Sequence, residues 1–129
     1  MKVVRLADAF EYPVTGHFDM RALRLHNKET SNTVDYTLGL SHFLPGGGTE
    51  YVETGVELIY FILEGEMTVR TKDETIVLKK YDSIHFNVGD GKEIRNETNL
   101  PASMLVIAGM PGRAEPDDSG MTLRKKGIL

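Results

Sequence analysis

The sequence predicts an all-β fold, an antiparallel sandwich or small barrel, and three observations lead there. Short runs rich in Val, Ile, Thr, Tyr and Phe recur from about residue 17 to residue 109. Gly, Pro, Asn and Asp punctuate them every few residues. No run keeps a helical apolar period over three turns.

The elements follow in chain order. The segment Val3 to Val14 fits a short helical turn and an edge strand equally well. Strands are expected over Phe18 to Leu25 and Val34 to Leu44, then over Leu58 to Leu63, Met67 to Thr71 and Thr75 to Leu78. Three more are expected at Ser83 to Phe86, Lys92 to Asn96 and Ala102 to Ala108. Glu64-Gly65-Glu66 supplies a flexible residue between two β-rich runs, and Lys72-Asp73-Glu74 breaks the next pair with charge, so consecutive hairpins are expected. After Met110 the chain turns Pro-, Gly- and charge-rich, which predicts a loosely packed tail or a partner-dependent arm.

A chain of 129 residues is expected to be one domain, with a core of about 17–109. Net charge is −4, and the basic residues are scattered apart from Arg124-Lys125-Lys126, so no basic face for nucleic acid is present. The absence of cysteine excludes disulfides, a thiolate zinc site and a cysteine nucleophile, and it fits a reducing compartment. The longest apolar run, Leu58 to Leu63, is far short of the roughly 20 residues that span a bilayer, and the N-terminus has no signal-peptide core. A cytoplasmic protein without membrane or nucleic-acid partners is expected.

Two segments carry a spacing of their own. From Gly46 to Gly65 the chain has the frame of a motif that runs from glycine, through two histidines and a glutamate, to a closing glycine, and it fits without a gap. From Tyr81 to Asn96 it follows a second motif of glycine, proline, glycine, histidine and asparagine, in which Gly89 and Asn96 match. Pro45-Gly46, Leu63-Glu64-Gly65-Glu66 and Leu78-Lys79-Lys80-Tyr81-Asp82 agree at the flanks. The chain thereby resembles the cupin superfamily over about 34–109, which implies a jelly-roll barrel, the antiparallel double-stranded β-helix. Spacing, turns and β-runs support the same fold.

The chemistry departs from that family. Val52 and Thr54 stand where the resemblance implies the first two histidines, Leu58 stands for the glutamate and Lys92 for the last histidine. Hydrocarbon side chains have no lone pairs, and a neutral hydroxyl is a poor substitute for imidazole. An ammonium about 4 Å from a divalent ion is repelled by roughly 8 kcal/mol at an effective dielectric of about 20. No metal cofactor is therefore expected. Rescue by Glu53 or Glu57 needs a one-residue shift, which turns a strand side chain to the other face unless a bulge intervenes.

Lys92, Thr54 and Tyr60 are expected to face the pocket, with Tyr60 sharing the face of Leu58 by period two. One cation, one hydroxyl and one phenol among apolar walls suit a small carboxylate-bearing or aromatic ligand. The ordinary alternative makes Lys92 a solvated strand-start residue near Asp90 and Glu93, and a further one makes it a base or Schiff-base amine. His42 shares parity with Leu38, Leu40 and Leu44, which turns it toward the interior as a core histidine, a general base or part of a displaced metal site. His85 faces the opposite way from Ile84 and Phe86, and nothing marks His17 or His26. Glu50, Glu53 and Glu57, clustered with Tyr51, read as a solvated acidic loop or as paired carboxylates that divide acid and base roles, and Gly46-Gly47-Gly48 as a tight approach to the barrel mouth, not a phosphate loop.

Two function classes remain. A binding or sensory module needs only a shaped pocket, whereas an enzyme would resemble cupin isomerases, epimerases, cyclases or lyases that use acid and base groups. A metalloenzyme with rebuilt ligands is a third. The resemblance also implies a homodimer, in keeping with runs that are apolar on both faces, such as Leu58 to Leu63.

Overall fold

The protein is described by a computed structural model over residues 1–111, so the expected tail beyond Pro111 lies outside the described residues. The architecture is an all-β antiparallel jelly-roll barrel. In its larger sheet β1 (Phe10–Tyr12) pairs with β2 (His17–His26), and β2 pairs with β3 (Tyr36–Thr49). β10 (Ala102–Gly109) then lies between β3 and β5 (Leu58–Glu64), and β8 (Ser83–Phe86) covers the far side of β5. Opposite them, β9 (Gly91–Arg95) pairs with β4 (Val52–Glu53) and with β6 (Met67–Arg70), which pairs with β7 (Thr75–Leu78).

β3 joins the two sheets. It runs beside β2 and β10 until Gly48, which pairs with Arg95 of β9. The glycine run permits the crossing, because a side chain on Gly47 would collide with the Asp19 carbonyl and one on Gly48 with the Ile94 carbonyl. Strand β3 thus continues through the segment that the sequence reads as an approach to the mouth.

Glu64-Gly65-Glu66 is not a hairpin. β5 pairs with β10 and β8, whereas β6 pairs with β7 and β9, so the chain changes sheets at Gly65. Gly65 takes φ +76, and a Cβ there would meet Pro101 and Ala102. The turn at Lys72-Asp73-Glu74 is a hairpin, with Arg70 opposite Thr75. At the N-terminus both readings hold in succession, a 3-10 turn at Leu6–Asp8 and then the edge strand β1. A short helix, α1 (Lys28–Ser31), has no counterpart in the sequence reading; Asn27 caps it by accepting from the Thr30 amide at 2.8 Å.

The interior is filled by Phe43, Ile62, Met67, Val69, Ile94 and Met104, all at most 2% exposed. In β3 the inward side chains are Ser41 and Phe43, which turns Leu38, Leu40, His42 and Leu44 to the outer face. Asn96, wholly buried, donates through Nδ2 to the carbonyls of Phe43 (3.2 Å) and Leu100 (2.7 Å), and its Oδ1 accepts from the Thr98 amide at 3.0 Å. The asparagine of the second motif is therefore a structural clasp on the turn before β10. Among the described residues no helix is long and apolar enough to cross a membrane.

Candidate functional site

A cavity of about 190 Å³ opens into the barrel between the sheets and the β1–β2 arm. Tyr60 and Leu58 of β5 and Lys92 of β9 form its inner wall, while His17 of β2 lines it from the arm. Pairing explains the convergence, since Val52 of β4 stands opposite Lys92 on β9 and both side chains reach the cavity.

Lys92 is only 4% exposed, which overturns its reading as a solvated strand-start residue. Its Nζ lies 5.5 Å from the centre of the Phe86 ring and 6.0 Å from that of Tyr60. Those two rings meet edge to face at 5.4 Å. The ammonium thus rests over aromatic faces, and among the described residues no carboxylate pairs with it. Ring quadrupoles only partly replace lost water, so burial holds the Lys92 pKa below the ordinary lysine value. Burial also pushes the Tyr60 phenol up to about 12, which keeps it a proton donor at neutral pH.

His17 is the residue that sequence reasoning missed. Its Nδ1 donates to the Thr15 carbonyl at 3.0 Å, which fixes the neutral tautomer with the lone pair on Nε2. Burial lowers its pKa, the Thr15 carbonyl opposes this, and the Lys92 charge lowers it further. No signal in the sequence could have found it, because the arm reaches the mouth only through the pairing of His17 with Thr49 of β3.

Two expected pocket residues point elsewhere. The Thr54 hydroxyl donates to the Val56 carbonyl at 2.6 Å and accepts from the Val56 amide, closing a local turn outside the cavity. His42 is exposed on the outer sheet face, one residue out of phase with inward Ser41 and Phe43. The parity argument failed because the leucines that suggested an interior face lie on an apolar exterior.

The sequence profile described as a cupin domain matches residues 39–108. The chain belongs to the cupin family. It is 33% identical over 111 residues to a protein of Mycobacterium tuberculosis named beta-D-galactosidase Rv1717, covering 86% of this chain and 96% of that one. Among solved structures it resembles the polyketide cyclase RemF of Streptomyces resistomycificus, with TM-score 0.76 and 20% identity over 84% of this chain and 79% of the other. A protein of Thermotoga maritima titled a predicted oxalate decarboxylase superposes with TM-score 0.71 and 19% identity, covering 85% and 99% of the two chains. At such identities these structures speak for the fold alone.

In this cupin the positions that match the family's metal ligands do not fit a divalent ion. Val52, Leu58 and Lys92 line the cavity and offer two hydrocarbons and an ammonium, while the Thr54 hydroxyl is turned away. The acids nearby do not compensate. Glu53 stands opposite Gly91 on the exposed side of β4, and Glu57 bonds His85 Nε2 at 2.5 Å on the outer surface. Among the described residues no cluster of three or more His, Cys, Asp or Glu could hold a metal.

Proposed function

We propose that this cupin binds a compact, largely apolar organic acid in its barrel without a metal, the acid group pairing with Lys92. The observation that carries the reading is the buried ammonium on the cavity wall, since a buried charge without a counter-ion is a site prepared for one. Size supports it: an apolar cavity of about 150 Å³ takes one benzene, so about 190 Å³ suits a single ring with a small substituent. Thermal-shift and calorimetric titration with benzoate and with neutral benzyl alcohol tests this. Benzoate is expected to bind at least about tenfold more tightly, the lower end for a charge-assisted hydrogen bond, and Lys92→Met is expected to erase the preference. Equal binding of the two compounds, or a preference that survives Lys92→Met, would sink the proposal.

The galactosidase name of the Mycobacterium tuberculosis relative favours a second reading, hydrolysis of a β-galactoside. Against it, most glycosidases place two carboxyl groups about 5–9.5 Å apart across the bond, and the cavity is lined by neither Asp nor Glu. Turnover of nitrophenyl β-D-galactoside by protein from a galactosidase-null host, lost in Lys92→Met, would establish it; its absence removes it.

A second copy of the chain is the proposed partner of the outer sheet face. Leu23, Leu40, Leu105 and Phe61 align across four strands there, and Leu38, Ile107 and Ile59 form the next row. Four strand widths of about 4.8 Å and two rows about 7 Å apart outline roughly 250 Å² of apolar face, bordered by the polar row of Arg21, His42, Ser103 and Glu64. That patch would form the apolar centre of an interface, with the polar row as part of the rim needed to reach the ~800 Å² per partner of a stable dimer. Sedimentation should show a dimer at micromolar concentration and a monomer after Leu105→Glu. A monomeric wild type refutes the assignment. The cysteine-free composition accords with a cytoplasmic home, which cell fractionation tests.

A further inference from the structure

The cavity wall carries more than a binding cation. Its two titratable nitrogens differ in character: Lys92 Nζ is a buried cation over the Tyr60 and Phe86 rings, and His17 Nε2 carries a lone pair because Nδ1 is committed to the Thr15 carbonyl. Both side chains line the same small space, His17 from the arm and Lys92 from β9. A neutral base and a buried cation on the wall of one largely apolar cavity are the two groups that removal of a proton beside a carbonyl needs.

We infer that the cavity catalyses enolisation of a small cyclic or aryl ketone, with His17 Nε2 as the base and Lys92 as the cation that holds the enolate oxygen. The inference rests on the reading that this cavity takes a one-ring ligand, and it extends that reading from binding to chemistry. In the step, the carbon–hydrogen bond next to the carbonyl breaks and its proton passes to His17 Nε2. The electron pair becomes the carbon–carbon double bond, and the carbonyl π pair moves to oxygen, where the Lys92 ammonium donates a hydrogen bond. Return of the proton to carbon restores the ketone, and its delivery to oxygen gives the enol. Nothing is oxidised and no co-reactant is consumed.

The base is in the required state near neutrality. Burial and the Lys92 charge keep the His17 ring neutral to lower pH than an ordinary histidine. Tyr60, protonated, supplies a second donor on the same wall.

The experiment uses the whole protein and cyclohexanone in D₂O, with loss of the α-proton signal followed by proton NMR and benzoate binding measured in parallel. Wild type is expected to exchange at least tenfold faster than buffer alone, and benzoate is expected to inhibit it. His17→Gln is expected to return exchange to the buffer rate while still binding benzoate, which shows the variant is folded; Lys92→Met is expected to lose both. Exchange by wild type no faster than by His17→Gln overturns the inference. If benzoate binds and no exchange occurs, the catalytic inference alone falls. If neither occurs, the binding reading falls with it.

Discussion

Replacing Lys92 by methionine should stabilise the protein, although it removes the most distinctive side chain in the cavity. Taking an ammonium out of water costs several kcal/mol even after relaxation, and here no carboxylate offsets it. The Tyr60 and Phe86 faces return about 0.5–2 kcal/mol each. Methionine keeps the length and packing of the stem and needs no water. The expected net gain at pH 7 is about 1–3 kcal/mol, within the range seen when buried ionic groups give way to hydrophobes. For a chain of this size each kcal/mol raises Tm by roughly 3–5 °C. The pH dependence gives a second signature. Folded Lys92 binds its proton less tightly than the ordinary lysine of the unfolded chain, whose value is 10.5. Across the window between the lowered folded value and 10.5 the unfolded state holds more protons, so wild-type stability rises with pH there. Below that window the penalty is present in full. The advantage of Lys92→Met should therefore be largest at neutral pH and fade as pH approaches 10.5. Urea titrations from pH 7 to 10.5 measure this directly. A variant less stable than wild type at pH 7, or an advantage that does not change with pH, refutes the account of Lys92 as an uncompensated buried cation.

Other substitutions probe the frame. Asn96→Ala leaves the buried Phe43 carbonyl and the half-buried Thr98 amide without their side-chain partner, and it should cost at least about 2 kcal/mol in chemical denaturation. Gly65→Ala places a side chain at φ +76 against Ala102, and a loss beyond the about 1–2 kcal/mol of left-handed strain is expected, read as a fall in Tm. Thr54→Val should lower stability by about 1 kcal/mol and leave benzoate affinity unchanged, because the hydroxyl serves the Val56 carbonyl; weakened binding would return Thr54 to the pocket.

Spacing carried more of the molecule than polarity did. The strands from Leu58 to Phe86 were legible almost residue by residue, since β-branched runs alternate with charged or glycine turns. The frame set by Gly46, Gly65, Gly89 and Asn96 put Leu58, Tyr60 and Lys92 on one wall of the cavity. Polarity misled at His42, because β3 is apolar outward at Leu38, Leu40 and Leu44 while its inward face includes Ser41. It misled again at Thr54, where a two-residue turn consumes the hydroxyl. Gly65 looked like a hairpin glycine because flexibility is visible in a sequence and sheet change is not. His17 was illegible for a different reason: its neighbours Thr49 and Lys92 lie far along the chain, and only the pairing of β2 with β3 brings the arm over them.

The placement of β10 has a consequence for synthesis. It follows the other described strands in the chain, yet it occupies the middle of the larger sheet, with Leu40 on one side of Leu105 and Phe61 on the other. Until it emerges, β3 and β5 each expose an unpaired edge with apolar side chains, the kind of template that recruits other chains. The sheet is therefore not built outward from a finished nucleus but closed by a late insertion between strands already made, a high-contact-order step that slows folding. A ribosome stalled before Ala102 would hold a split sheet instead of a shortened one, and premature termination there should yield aggregate, with no smaller stable barrel.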